Sequence, residues 1–108
     1  MAYSLNNVVV IGRLTFEPST KQVGTGLTEF RIAVDDGKEQ SGKDRATFVT
    51  CKAWGKTSEI ARQYHKGDMV SVEGKISQDK WESTDGKQMS KLYITAFKVI
   101  LLKERGVK

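Results

Sequence analysis

A single cysteine and a single histidine are the chain's sharpest shortages. With only Cys51 there is no internal disulfide, which fits a reducing compartment. Cys51 and His65 together cannot furnish a zinc site, which needs several such ligands at short spacing. No nucleophile has an evident base beside it, and His65, near the end of a helical pattern, reads as a solvated or dipole-stabilising residue. Asp35 and Asp36 precede Gly37 at a strand end and read as turn residues rather than metal ligands. Gly24-Thr25-Gly26 lacks both the strand–loop–helix setting and the Lys-Ser/Thr ending of a phosphate loop. Long apolar runs are also missing. Val8-Val9-Val10-Ile11 falls far short of the roughly 20 residues of a membrane span and of a signal-peptide core, and the first charge is Arg13. Repeats and low-complexity segments are absent. The expectation is one cytosolic, non-enzymatic domain with no metal and no cofactor. Acidic residues are outnumbered, so the net charge is +5 and the pI about 9.4, which favours an anionic partner.

Large apolar side chains are scarce too: four Phe, two Trp and three Tyr in 108 residues. A domain this small buries only about two-thirds of its unfolded surface, so any ring placed outside the core needs a cause. Thr47–Lys56 reads TFVTCKAWGK. As a strand its side chains alternate between faces. Val49, Cys51 and Ala53 fall on one face; Phe48, Thr50, Lys52 and Trp54 fall on the other. The small apolar residues suit a core, and the two big rings sit with the polar groups.

The rest of the pattern is mostly strand. Leu5–Thr15 is apolar at both parities, with Val8, Val10 and Leu14 against Leu5, Val9 and Ile11. That predicts cover on both faces, one by its own core and one by a second subunit. Gly12 within it predicts a bulge or sharp bend. A second strand spans Leu27–Asp35 with Phe30, Ile32 and Val34 inward, and Asp36–Asp44 reads as a loop. TFVTCKAWGK is the third strand. Thr57–Lys66 reads as a helix with Thr57 as N-cap, Glu59 in the first turn, Ile60 and Tyr64 on one face, basic residues in its last turn and Gly67 at the left-handed end. Met69–Ser77 is the fourth strand, with Val70, Val72 and Ile76 inward. Gln78–Ser90 is a polar hairpin region turning at Asp85-Gly86. Lys91–Leu102 is the fifth strand, and Lys103–Lys108 a short basic tail expected to fray. The order β-β-β-α-β-β is that of an OB-fold: all-β with one short helix, a five-stranded partly open barrel with the helix between strands 3 and 4.

On this framework aromatic and basic residues converge. Phe48 and Trp54 share a face with Lys52, and Lys56 follows. Trp81 lies among Lys80, Glu82, Ser83 and Thr84, with Lys75 upstream; Arg31 and Lys21 add charge from the first half. Rings that stack on bases and cations that track phosphates are what single-stranded nucleic acid requires, and such a site is tolerant of sequence and sensitive to salt. Trp54 could instead cover the barrel end, and exposed rings also mark protein interfaces. A protein–protein adaptor on the same barrel and a binder of RNA or structured nucleic acid therefore stand as alternatives.

Several segments resemble the bacterial-type single-stranded DNA-binding protein family. They are Asn7-Val8-Val9-Val10-Ile11-Gly12-Arg13-Leu14 closed by Glu17-Pro18, Phe30–Val34, Trp54-Gly55-Lys56 with Glu59, Tyr64-His65-Lys66-Gly67, Val70–Ile76, and Lys80-Trp81 with Asp85-Gly86. The resemblance covers about residues 5–102. It implies an OB-fold domain over residues 1–102, assembled as a homotetramer that binds single-stranded DNA in replication, recombination or repair. It maps base stacking onto Phe48, Trp54 and Trp81, and matches Lys56 and Lys80 to basic positions. With the parity argument, Arg31, Lys52, Lys56, Lys75 and Lys80 are the expected phosphate contacts. Three departures stand out. Gly37 and Lys38 occupy a region where many members carry a further ring. Ser77 and Asp79 replace basic residues before the hairpin tryptophan. The sequence stops at Gly106-Val107-Lys108, where members usually continue into a Gly/Pro/Gln-rich linker and an acidic tip that recruits replication and repair proteins. That reads as a shortened chain or a short variant, as of a phage or plasmid, lacking the recruitment. The expected location is the cytoplasm near the nucleoid, or the host cytoplasm for a phage protein.

Overall fold

The computed structural model describes residues 3–20 and 26–106. The described strands are β1 (Val8–Leu14), β2 (Ser19–Thr20), β3 (Thr28–Lys38), β4 (Asp44–Ala53), β5 (Met69–Glu82) and β6 (Gln88–Lys103), with helix α1 (Gly55–Ala61) between β4 and β5. The sheet runs β1-β5-β6-β4-β3-β2 and closes where β1 also pairs with β3. β4 and β6 are parallel and meet only at Cys51–Ile94 and Lys52–Thr95; the other pairings are antiparallel. Bulges at Met69/Val70 and Glu73/Gly74 interrupt the long β5–β6 ladder. Such bulges bend and twist a strand pair, which a sheet needs in order to curl into a barrel. With β2 too short to form a stave, five long strands make the expected barrel, and the helix follows the third of them.

Alternation fills the interior. Phe30, Ile32, Cys51, Ala53, Val70 and Val72 are at most 1% exposed, and Leu14, Ala61, Ile94, Ala96 and Val99 complete the core. Val8, Val10, Val34, Val49, Tyr64 and Leu101 pack against it, partly buried. Cys51 thus sits in the barrel as its parity predicts, and burial pushes its thiol up to about 12, so it stays a neutral apolar filler. Gly12 marks a close approach rather than a bulge: a Cβ there would lie 2.5 Å from the Ala33 carbonyl oxygen, beside the point where β1 reaches β3.

The helix departs from expectation. It begins at Gly55, with Trp54 in the N-cap position and no side-chain cap. The Thr57 hydroxyl instead donates to the Phe97 carbonyl of β6, 3.0 Å away. The helix ends by Ala61, leaving Glu59 outside the first turn and no basic residue in the last. Tyr64 packs on the core from the following turn, and Ile60 faces outward. Buried Thr28 and Ser58 hydroxyls, 2.5 Å apart, join the helix to β3.

β3 extends through Asp36 to Lys38, which sequence reading placed in a loop. Asp35 and Asp36 are therefore strand and not turn residues; the ladder is irregular between Asp35 and Lys38, where the Asp35 carboxylate accepts the Gly37 N–H at 2.8 Å. β5 and β6 continue well into the polar hairpin, whose tip spans Ser83–Lys87, with Gly86 at φ 84°. Ile76 is therefore not a core residue. It is 48% exposed although it stands opposite the buried Ile94, because the β1–β5 pairing ends at Gly74 and β1 no longer covers it.

The end of the described chain is tied down. The buried Asp68 carboxylate accepts the backbone N–H groups of His65 (2.8 Å) and Arg105 (2.7 Å). Burial pulls the Asp68 pKa up, but those two donors, helped by the Arg105 and His65 charges, outweigh it and hold the group below its ordinary value. Arg105 thus returns to the barrel, where the tail from Lys103 was expected to fray. Val107 and Lys108 lie outside the described residues.

Candidate nucleic-acid interface

The outer face of β3, β4, β5 and β6 collects the predicted rings. Phe48 is 57% exposed, Trp54 44% and Trp81 46%. Phe48 stands on β4 opposite Ala33 of β3. Trp54 follows β4 directly, its carbonyl accepting the Ser58 N–H at 3.3 Å. Trp81 lies on the hairpin arm, opposite Met89. Phe48 and Trp81 stand on strands and Trp54 in the N-cap position between β4 and α1.

The cations divide. Arg31, opposite Thr50 on the β3–β4 ladder, lays its guanidinium 5.2 Å from the Phe48 ring centroid, a cation–π contact that holds both side chains on the outer face. Lys56 is exposed in the first turn of α1. Lys75 is exposed opposite Thr95, on the side of β5 that also carries Asp79 and Trp81. Lys80 is exposed, but strand alternation puts it on the opposite side of the hairpin from Trp81, with Gln78 and Ile76. Lys21 lies outside the described residues.

Lys52 is engaged. Its ammonium is 2.9 Å from an Asp79 carboxylate oxygen and 4.4 Å from the Tyr93 ring centroid. The hydrogen bond to Asp79 raises the Lys52 pKa; partial burial opposes this, and the Asp79, Tyr93 and Glu29 charges add to the rise. Lys52 is thus held on this face by an ion pair and an aromatic ring.

Sequence reading missed Tyr93 and the role of Asp79. Tyr93 precedes the buried Ile94 on β6, so alternation turns it outward opposite Ser77. The signal was present in the parity of Ile94 and Ala96, but nothing local ties Tyr93 to Lys52. A groove of about 560 Å³ opens beside it, lined by Arg31, Phe48, Thr50, Lys91 and Leu92 among others, where β4 and β6 lie apart ahead of their two shared pairs. Among the described residues no three His, Cys, Asp or Glu side chains cluster as metal ligands. No helix among them is long and apolar enough to cross a membrane.

The closed barrel with its helix after the third long strand defines the protein as an OB-fold domain. A solved Plasmodium falciparum SSB in complex with ssDNA has the same fold, with a TM-score of 0.78 at 20% identity over 95% of this chain and 99% of that one. The model of the single-strand binding protein family matches residues 5–102, and the chain belongs to that family. Its relatives include the single-stranded DNA-binding proteins of Clostridium tetani (37% identity over 84% of this chain and 63% of that protein) and Aquifex aeolicus (41% over 91% and 70%). The chain spans about two-thirds of the length of these relatives.

Proposed function

We propose that this chain binds single-stranded DNA with little sequence preference and protects it during replication, recombination or repair, as a binding protein and not an enzyme. The observation that carries the reading is the exposure of Phe48, Trp54 and Trp81, with the Arg31 guanidinium over Phe48 and with Lys56 and Lys75 exposed. Bases stack on the three rings, and phosphates meet Arg31, Lys56, Lys75 and, from its ion pair, Lys52. Lys80 serves DNA that passes round the hairpin edge. Residues 1–102 form the binding domain and 103–108 its basic end, and the protein acts in the cytoplasm on nucleoid or phage DNA. Family membership supports this reading.

Titration with oligo(dT) is expected to quench tryptophan fluorescence at micromolar DNA and low salt. The log–log salt slope should be about −0.7 for each phosphate engaged. Absence of quenching would sink the proposal in favour of a protein-docking role for the same rings, and competition by RNA or duplex as strong as by oligo(dT) would reassign the ligand.

We further propose a homotetramer. Val9 and Ile11 on the outer face of β1 are 56% and 50% exposed, and the β1 edge away from β5 pairs with β3 only at Arg13 and Leu14. An apolar strip beside an open edge suits a partner subunit. Light scattering should give four times the chain mass; a monomer mass at working concentration refutes it.

A further inference from the structure

Lys52, Tyr93 and Asp79 form a strap across three neighbouring strands. Lys52 starts on β4, crosses the Tyr93 ring on β6 at 4.4 Å, and ends on Asp79 of β5 at 2.9 Å. The strap lies on the outer face, between the β4 rings and Trp81 on the hairpin. Resting on the single-stranded DNA reading above, we propose that Tyr93 is a fourth base-stacking platform held covered by Lys52, and that Asp79 is an internal anion which a DNA phosphate replaces when the platform opens.

Three observations carry this. First, Asp79 is the wrong charge for a surface that follows phosphates, yet it sits among that surface's cations, with Lys52 in contact and Lys91 directly opposite it on β6. A carboxylate there offers Lys52 the same kind of charge-assisted hydrogen bond as a phosphate. Second, the pair is weak enough to exchange. The Asp79 side chain is 46% exposed, and ion pairs open to solvent contribute little to stability. A polyanion presenting several phosphates competes well against one such carboxylate. Third, Tyr93 already borders the open groove next to Phe48 and Arg31. A base entering that groove meets the Tyr93 ring once the ammonium has swung aside. DNA binding then exchanges a lysine–aromatic contact for a base–aromatic one and a carboxylate for a phosphate, with charge conserved at Lys52.

The test uses fluorescence polarisation of labelled oligo(dT) over a salt series, with the whole chain. Asp79→Asn is expected to tighten binding about 2- to 5-fold at low salt. In a Lys52→Met background the same substitution should have a clearly smaller effect. Tyr93→Leu should weaken binding about 5- to 150-fold, while Tyr93→Phe keeps the ring and binds as the parent does. Circular dichroism melts of each variant confirm folding. An Asp79→Asn gain that is absent, or that persists undiminished without Lys52, overturns the proposal, as does unchanged binding in Tyr93→Leu. If the parent itself fails to bind, the DNA-binding reading falls; if the parent binds and these variants match it, only the strap falls.

Discussion

Trp54→Ala and Trp81→Ala are each expected to weaken oligo(dT) binding by ~1–3 kcal/mol, the usual value of one base–aromatic stack. The two residues lie on different elements, one at the β4–α1 junction and one on the hairpin arm. Their effects should therefore add, so the double variant loses ~2–6 kcal/mol, which is roughly 30-fold to 20,000-fold in Kd. Both rings are nearly half exposed, and neither belongs to the buried cluster of Phe30, Ile32, Val70 and Val72. Truncating them should leave the melting transition close to that of the parent. Because the double variant has no tryptophan, binding must be followed by polarisation of a labelled oligonucleotide. Parental affinity in the double variant would show that the rings serve something other than DNA. A collapsed melting transition would show that one of them closes the barrel end.

The parity of TFVTCKAWGK was legible because a strand has an unforgiving period. Once Val49, Cys51 and Ala53 go inward, Phe48, Lys52 and Trp54 have one direction left. The same logic located Val70 and Val72 but failed at Ile76. Parity tells which face a residue takes, whereas burial depends on whether anything covers that face, and β5 has lost its β1 neighbour by Ile76. Adjacency misled in a related way at Lys80 and Trp81: neighbours in sequence, they occupy opposite sides of one strand. The helix starts two residues ahead of Thr57, whose hydroxyl donates to the Phe97 carbonyl of a strand that follows much later, a partner with no local signature. Asp79 reads locally as a departure from a basic pattern. Its meaning lies in Lys52, 27 positions earlier, and a contact across three strands has no periodic signature. What is local or periodic was therefore readable, and what depends on how β4, β5 and β6 come together was not.

Gly74→Ala is expected to be among the most destabilising single substitutions in the chain. Gly74 is buried between Val8 of β1 and Ala96 of β6, at the β5–β6 bulge. A Cβ there would lie 1.9 Å from the Thr95 carbonyl oxygen, 2.8 Å from its carbon and 3.1 Å from the Ala96 Cα. All three are backbone atoms, so no rotamer change can relieve the clash. The strand pair must separate or the bulge must move, and either change disturbs the curl that lets β1 reach β3. The expected loss is about 3 kcal/mol or more, the upper end for overpacking, against a total stability of ~5–15 kcal/mol for a domain of ordinary stability. Gly86→Ala at the hairpin tip is the natural comparison. It has open space around it but φ 84°, so its cost is local backbone strain of about 1–2 kcal/mol. Guanidinium unfolding at one fixed protein concentration separates the two, since assembly would otherwise shift the midpoint. A Gly74→Ala variant that unfolds at the same midpoint as Gly86→Ala, or later, would mean that β6 does not pass this close over β5. The bulge could then not be what bends the hairpin into the barrel.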